Sequence, residues 1–84
     1  MKRLGRAQRS ILLAAELYLR QHGHGPLWRE LRGVTGLAPA EFAHRMEALR
    51  RHGLATYTAE RRSLRVTPQG LAAALRQSKE RRRA

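Results

Sequence analysis

Cysteine and aspartate are both absent from the 84-residue chain, and aromatic residues make up only 5% of it. Without cysteine, neither a disulfide framework nor a thiolate metal site can form, and this composition suits a reducing compartment. The chain also has no long apolar run, so the sequence predicts neither a signal peptide nor a membrane span. These absences favour a small cytoplasmic domain whose stability rests on one modest hydrophobic core.

Positive charge is the most pronounced property that the sequence does have. Lys and Arg number 18 against 6 acidic residues, all of them Glu, and the formal net charge is +12. Such an imbalance opposes folding through self-repulsion, which a polyanionic partner relieves as its counterions are released. Nucleic acid is therefore the first candidate partner, and an anionic membrane surface is the second.

Apolar residues at helical spacing predict three helices, over 6–22, 27–34 and 39–52. A tight turn at Thr35-Gly36 separates the second helix from the third, and Pro39 fits the first turn of the third helix. The expected core positions are Ile11, Ala15, Tyr18 and Leu19 on the first helix and Phe42, Met46 and Leu49 on the third. The apolar positions of the second helix are Trp28, Leu31 and Val34.

The periodicity changes after Gly53, which is the expected C-terminal cap of the third helix. Residues 54–58 and 64–67 have β character and flank a polar connection, so they predict a β-hairpin. Residues 67–70 are expected to open a fourth helix that runs from Leu71 to about Gln77, with Thr67 as its N-cap and Pro68 at its first position.

This order of elements predicts a mainly α fold with a small β-hairpin. The expected architecture is a winged helix-turn-helix, with a three-helix core, a two-stranded wing and a C-terminal helix. Residues 1–77 would form one domain with a basic N-terminal arm, and residues 78–84 would form a basic, disordered tail.

Residues 37–54 resemble the recognition-helix stretch of winged helix-turn-helix regulators such as the MarR family, with apolar residues at 37, 42, 46, 49 and 54 and glycine at 53. Residues 64–70 resemble the wing strand of those regulators and the Thr-Pro-x-Gly helix start that follows it. The first 32 residues are more similar to the DNA-binding domain of the SOS repressor LexA. Leu4, Gln8, Ile11, Gln21-His22-Gly23, Pro26, Glu30 and Leu31 carry that likeness. The resemblance implies a DNA-reading module without autoproteolysis.

In these regulators the exposed face of the third helix enters the major groove of DNA. The resemblance places Ala38, Pro39, Ala40, Glu41, His44 and Arg45 on that face. Arg45 could pair with guanine, and His44 could donate to guanine or to phosphate. For Glu41, a contact with cytosine and a purely structural role at the positive end of the helix dipole both stay open.

The resemblance also assigns contacts outside the third helix. Arg61 and Arg62 at the tip of the wing are expected to meet the minor groove and the phosphates. Arg29 lies on the second helix, which crosses the DNA backbone in this fold, whereas Trp28 is expected in the core or as a groove-lining ring. The basic ends would add salt-dependent affinity through Lys2, Arg3, Arg6 and Arg9 and through Lys79, Arg81, Arg82 and Arg83.

No metal, cofactor or catalytic site is predicted, because His22 and His24 have no acid or cysteine nearby and no nucleophile is paired with a base. The first helix is apolar on two faces and needs a second partner. That partner could be the fourth helix or a second subunit in a homodimer, and the residues concerned are Leu13, Leu17, Leu71 and Leu75.

The predicted function is binding of double-stranded DNA by a transcriptional regulator, through recognition helix 39–52 and wing 54–67. The alternative is an interaction or architectural module that docks on a larger nucleic-acid machine. An alanine-rich recognition face favours the alternative, since alanine reads bases poorly.

Overall fold

The computed structural model describes residues 4–83, with side chains for residues 4–76. Its elements run in the order α1 (Arg6–His22), α2 (Trp28–Thr35), α3 (Pro39–Arg51), β1 (Ala55–Thr56), β2 (Arg65–Val66) and α4 (Pro68–Arg83). Helices α2 and α3 are joined by a short turn, and the two strands form an antiparallel hairpin. The predicted winged helix-turn-helix fold is confirmed.

The end of α3 directs the chain into the hairpin. Gly53 has a φ of 74°, a left-handed conformation that glycine adopts without steric penalty. The Leu54 amide then donates back to the Leu49 carbonyl at 2.9 Å, which satisfies a carbonyl of the last helical turn. Leu54 is consequently buried at the junction of α3 and the wing.

One apolar core joins all the elements. Its buried members are Leu4, Ile11, Leu12, Ala15, Leu31, Phe42, Met46, Leu49, Leu54, Ala55, Leu64, Ala73 and Ala74. The stripe expected on α3 is confirmed in full. On α2, only Leu31 is buried, whereas Trp28 is 38% exposed and Val34 is 75% exposed. Val34, one of the three apolar positions of this helix, is in the last turn of α2, on a side that no described element covers.

The wing is shorter than the sequence pattern indicates. Each strand has two residues, paired as Ala55 with Val66 and Thr56 with Arg65. Leu54 and Leu64, which were expected inside the strands, flank the ladder and are buried in the core. The hairpin is therefore held to the domain by apolar burial at its base more than by its own ladder, since an isolated two-stranded hairpin is marginal in water.

Helix α4 begins at Pro68, the expected first position, and extends past the expected end at Gln77 to Arg83. The expected N-cap is confirmed, because the Gly70 amide donates to Thr67 Oγ1 at 3.0 Å. The helix packs against α1 and buries Ala73 and Ala74. The side chains of residues 77–84 lie outside the described part, so the solvated basic tail stays a prediction.

The N-terminal arm is described only in part. Arg6 and Arg9, which were expected in that arm, lie in the first turns of α1, and Lys2 and Arg3 lie outside the described residues. Within residues 4–83, no helix combines the length and the apolar character that a membrane crossing requires.

Candidate nucleic-acid interface

The exposed face of α3 lies opposite its buried stripe, which consists of Phe42, Met46 and Leu49. Because those three side chains point into the core, the intervening positions point outward. The structure leaves exposed five of the residues that the sequence placed on this face, namely Ala38, Pro39, Ala40, Glu41 and His44. This surface carries mostly small side chains and is exposed along the first half of the helix.

Arg45, the sixth residue of that face, is paired with Glu41 one turn earlier. Arg45 Nη2 is 3.5 Å from Glu41 Oε1, and the two side chains are 36% and 46% exposed. Such a surface pair contributes about 1 kcal/mol at most, so a stronger acceptor could displace Glu41. Arg45 Nε is buried without a hydrogen-bond partner, so the side chain is only partly open to solvent.

Three aromatic rings connect α2, α3 and the wing. Trp28 at the start of α2 makes an edge contact with Phe42, with ring centroids 5.6 Å apart, and with Tyr57 at 5.0 Å. Trp28 also lines a groove between α2 and the wing, which is one of the two placements that the sequence left open for it. Its neighbour Arg29 is exposed at the second position of α2, on the same end of the helix.

Tyr57, at the base of the wing, also contacts Arg50 and Glu47 near the end of α3. The Arg50 guanidinium lies 4.9 Å from the centre of the Tyr57 ring, and Arg50 Nη2 donates to Glu47 Oε2 at 2.9 Å. Burial raises the pKa of the Tyr57 hydroxyl, and the hydroxyl donates to the same Glu47 oxygen at 3.4 Å. These contacts restrain the hairpin where it leaves α3.

The two wing arginines have different environments. Arg61 is exposed at the tip, as a phosphate or groove contact requires. Arg62 is two-thirds buried and turns back towards the body of the domain, where its guanidinium meets Glu30 at 3.2 Å. The structure therefore leaves Arg61 exposed near the start of α2, whereas Arg62 is paired with Glu30 within the domain.

Arg62 Nη1 lies near three acceptors, which are Tyr18 Oη at 3.1 Å, the Gly25 carbonyl at 3.1 Å and Glu30 Oε1 at 3.2 Å. His24 Nδ1 lies 3.3 Å from the same nitrogen and 3.2 Å from the Gly25 carbonyl. Since Nη1 carries two hydrogens, the three acceptors share them as three-centre bonds. The hydrogen bond to Tyr18 is the main reason why the pKa of Arg62 is raised, and Glu30 adds to it.

Glu30 has two roles at this point. As the third residue of α2, its Oε1 accepts the Leu27 amide at 2.8 Å and so caps the start of the helix. That bond is the main cause of the lowered pKa of Glu30, and the Arg62 side chain lowers it further. A negative charge at a helix N-terminus is also favoured by the helix dipole.

The lowered pKa of Glu30 predicts a loss of stability in acid. A carboxylate whose pKa is lower in the folded state contributes stability above its ordinary value of 4.5, and that contribution is lost as the pH falls through the folded value. In urea unfolding at pH 7 and pH 3, we expect the wild type to lose more stability than Glu30→Gln. An equal loss in both proteins would contradict this assignment.

Sequence reasoning missed Tyr18, Gly25 and Glu30 as parts of the wing attachment. Glu30 alone carried a local signal, since a Glu three residues into a helix is typical of capping. Tyr18 was expected to be a core residue, and nothing in the sequence pattern connects it with the wing, 44 residues away.

A groove of about 250 Å³ separates the wing from the start of α2. Its walls are Leu27 and Trp28 on one side and residues 58–63 on the other.

The wing loop itself is closed by a reciprocal contact between Thr58 and Ser63. The Thr58 amide donates to Ser63 Oγ at 2.9 Å, and that hydroxyl donates to the Thr58 carbonyl at 3.1 Å.

His22, the last residue of α1, and His24 in the following loop stack on each other next to Tyr18. The ring centroids of His22 and His24 are 5.8 Å apart, and His22 lies 4.2 Å from Tyr18. Over the described residues, no group of three His or Glu side chains is placed to hold a metal ion.

Comparison with known protein families gives a match over the first three-quarters of the chain. The family model described as the LexA DNA binding domain matches residues 1–62, which span α1, α2, α3 and the first strand of the wing. Among curated proteins, no sequence gives a significant match to this chain.

Proposed function

The chain belongs to the LexA DNA-binding domain family, and from this premise we propose that it is a cytoplasmic transcriptional regulator that binds double-stranded DNA. In this proposal the first half of α3 enters the major groove and the wing lies over the adjacent minor groove. The observation that carries the proposal is the exposure of residues 38–41 and His44 on α3, together with that of Arg29 on α2 and of Arg61 on the wing.

The proposed contacts divide into two kinds. Arg29 and Arg61, at the start of α2 and the tip of the wing, would hold phosphates without reading sequence. Arg45 and His44 would read bases, and Ala38, Pro39 and Ala40 would lie against thymine methyl groups. The net charge of +12 supports strong, salt-dependent attraction to DNA.

Selection of binding sites from a random pool of duplexes tests this function. A regulator enriches a defined motif, and the purified protein shifts that duplex at nanomolar concentration. Absence of binding to any duplex at low salt would contradict the proposal.

The second candidate function is an architectural or docking module on a larger nucleic-acid machine. The side chains of Ala38, Pro39 and Ala40 support it, because they offer no hydrogen bonds to base edges. Random-site selection separates the two functions, since an architectural protein binds all duplexes alike with a steep salt dependence.

Arg61→Ala is expected to weaken binding to every duplex and to lower the salt slope by about one. The physical reason is the loss of one phosphate contact and of the counterion that it releases. Arg76→Ala removes the same charge from α4, which packs on α1 and β2, and is the matched control. Measurement of Kd between 50 and 200 mM salt, about the range in which such slopes are resolved, checks the difference. Equal slopes for the two variants would remove Arg61 from the interface.

Exposed leucines on α1 and α4 favour a homodimer. Helix α4 already covers one side of α1, and Leu17 and Leu75 remain 56% and 53% exposed. We propose that these side chains, with Leu13 and Leu71 beside them, meet the same surface of a second subunit. Two recognition helices would then address half-sites about 34 Å apart. Sedimentation of the wild type and of Leu17→Glu checks the dimer, and a monomeric wild type at all concentrations would contradict it.

A further inference from the structure

The direction of the wing is not determined by its own ladder. Two residue pairs join β1 to β2, and the connection between them, residues 57–64, extends beyond the ladder. Short two-stranded ribbons twist and bend easily. A fixed direction of the tip therefore requires a tertiary contact outside the strands.

Arg62 has an unusual backbone conformation at the tip. Its φ is 58°, and it is the one residue other than glycine with a positive φ among residues 4–83. A side chain in this region is strained and persists where surrounding contacts compensate for the strain. At Arg62 those contacts are made by the guanidinium, which turns away from the tip.

The partners of Arg62 come from three separate parts of the domain. Tyr18 is on α1, Gly25 is in the loop after α1, and Glu30 is on α2. One side chain thus connects the wing to two helices and to the loop between them. Because these partners belong to the folded body, the contacts fix both the distance and the angle of the wing tip.

Gly25 provides a second, independent contact between the wing and this loop. A Cβ at position 25 would lie 2.7 Å from the Arg62 carbonyl oxygen, 2.8 Å from that of Leu64 and 2.5 Å from Arg65 Nη1. Two of these neighbours are backbone atoms, which cannot move without the wing. The hairpin backbone therefore packs directly on Gly25.

We propose that Arg62 is a positioning residue, which holds the wing against α1 and α2 so that Arg61 is presented to the DNA phosphates. This inference rests on the proposed DNA-binding function. It assigns opposite roles to two adjacent arginines of the same charge: Arg61 touches DNA, and Arg62 acts through the direction of the wing.

The first test uses the protein without DNA. Arg62→Gly removes the guanidinium and its contacts with α1 and α2. Because glycine tolerates the positive φ, the effect of losing these contacts is separated from backbone strain. We expect backbone ¹⁵N order parameters of residues 58–63 to fall from about 0.85 to below about 0.6 in this variant. Arg61→Ala is the matched control and should leave them unchanged. A rigid wing in Arg62→Gly would overturn the proposal.

The second test measures duplex affinity against salt. Arg62→Gly should raise Kd by about three- to tenfold through loss of preorganisation, with the salt slope of the wild type. Arg61→Ala should lower that slope by about one. A slope lowered by about one in Arg62→Gly would show a phosphate contact and overturn the positioning role. Arg62→Lys retains the charge and part of the hydrogen bonding, so it should recover part of the affinity.

Gly25→Ala loosens the wing without any change of charge. It should reproduce the low order parameters of residues 58–63 and the unchanged salt slope of Arg62→Gly. Unchanged order parameters would contradict the inference that contacts at Gly25 and Arg62 hold the wing. If the wild type binds no duplex, the proposed function fails, whereas the order parameters of the free protein still decide whether Arg62 holds the wing.

Discussion

Gly70→Ala is expected to remove much of the stability of the domain. A Cβ at position 70 would point into the backbone of Leu54, 2.9 Å from its carbonyl carbon and 3.2 Å from its Cα. Since the obstacle is backbone, α4 would have to move away and break the bond from the Thr67 amide to the Leu54 carbonyl, now 3.1 Å long. Overpacking of this kind costs about 3 kcal/mol, from a total of roughly 4–13 kcal/mol for a chain of this size.

Thermal unfolding measures this effect directly. A loss of about 3 kcal/mol corresponds to a Tm lower by roughly 10 °C or more in a small domain. Gly33→Ala is the matched control, because Gly33 lies within α2 and a Cβ there meets no atom within 4 Å. That substitution should stabilise the domain by up to about 1 kcal/mol through helix propensity. The same Tm in both variants would show that α4 does not pack on Leu54 as described.

Arg45→Ala is expected to reduce affinity for the preferred duplex by about 5- to 150-fold, which equals about 1–3 kcal/mol. Arg45 is partly buried beside the exposed face of α3, and its Nη2 lies 3.5 Å from the exposed carboxylate of Glu41. In a complex, the O6 and N7 atoms of a guanine would replace that carboxylate in a two-bond contact. The loss should therefore be confined to duplexes that carry the preferred base at one position.

Arg45→Lys is the control for this base contact. Lysine keeps the positive charge but cannot form the planar two-bond contact. It should retain binding to non-specific duplexes and lose discrimination at the same base. Equal losses on all sequences in Arg45→Ala, restored by lysine, would identify Arg45 as a phosphate contact.

Several elements of the fold could be predicted because their causes are local. Helix α1 has the predicted bounds, Arg6–His22, since its apolar spacing and terminal glycine lie within the helix and its immediate flank. The buried stripe of α3 and the Thr67 cap depend on neighbours four residues away or fewer. The bounds of the wing were less accurate, because an apolar residue at a strand end has the same pattern as one in the ladder.

The residues of the candidate site could be predicted from the sequence, but the contacts that they make with other residues could not. The exposure of Ala38, Ala40 and His44 follows from the burial of their neighbours on α3. The exposure of Val34 does not, since an apolar residue at helical spacing is equally typical of a core position. Only the packing of the other elements shows that no side chain of the described residues covers it.

The sequence by itself determined the order of the helices, the outward face of α3 and the excess of positive charge, because periodicity, caps and composition are properties of short segments. Only the tertiary structure decided which positive charges are available. Arg61 and Arg62 are adjacent and chemically identical, but the partners of Arg62 are 32 to 44 residues away along the chain. Contacts at such separations arise from the packing of the wing on α1 and α2, and no local pattern encodes them.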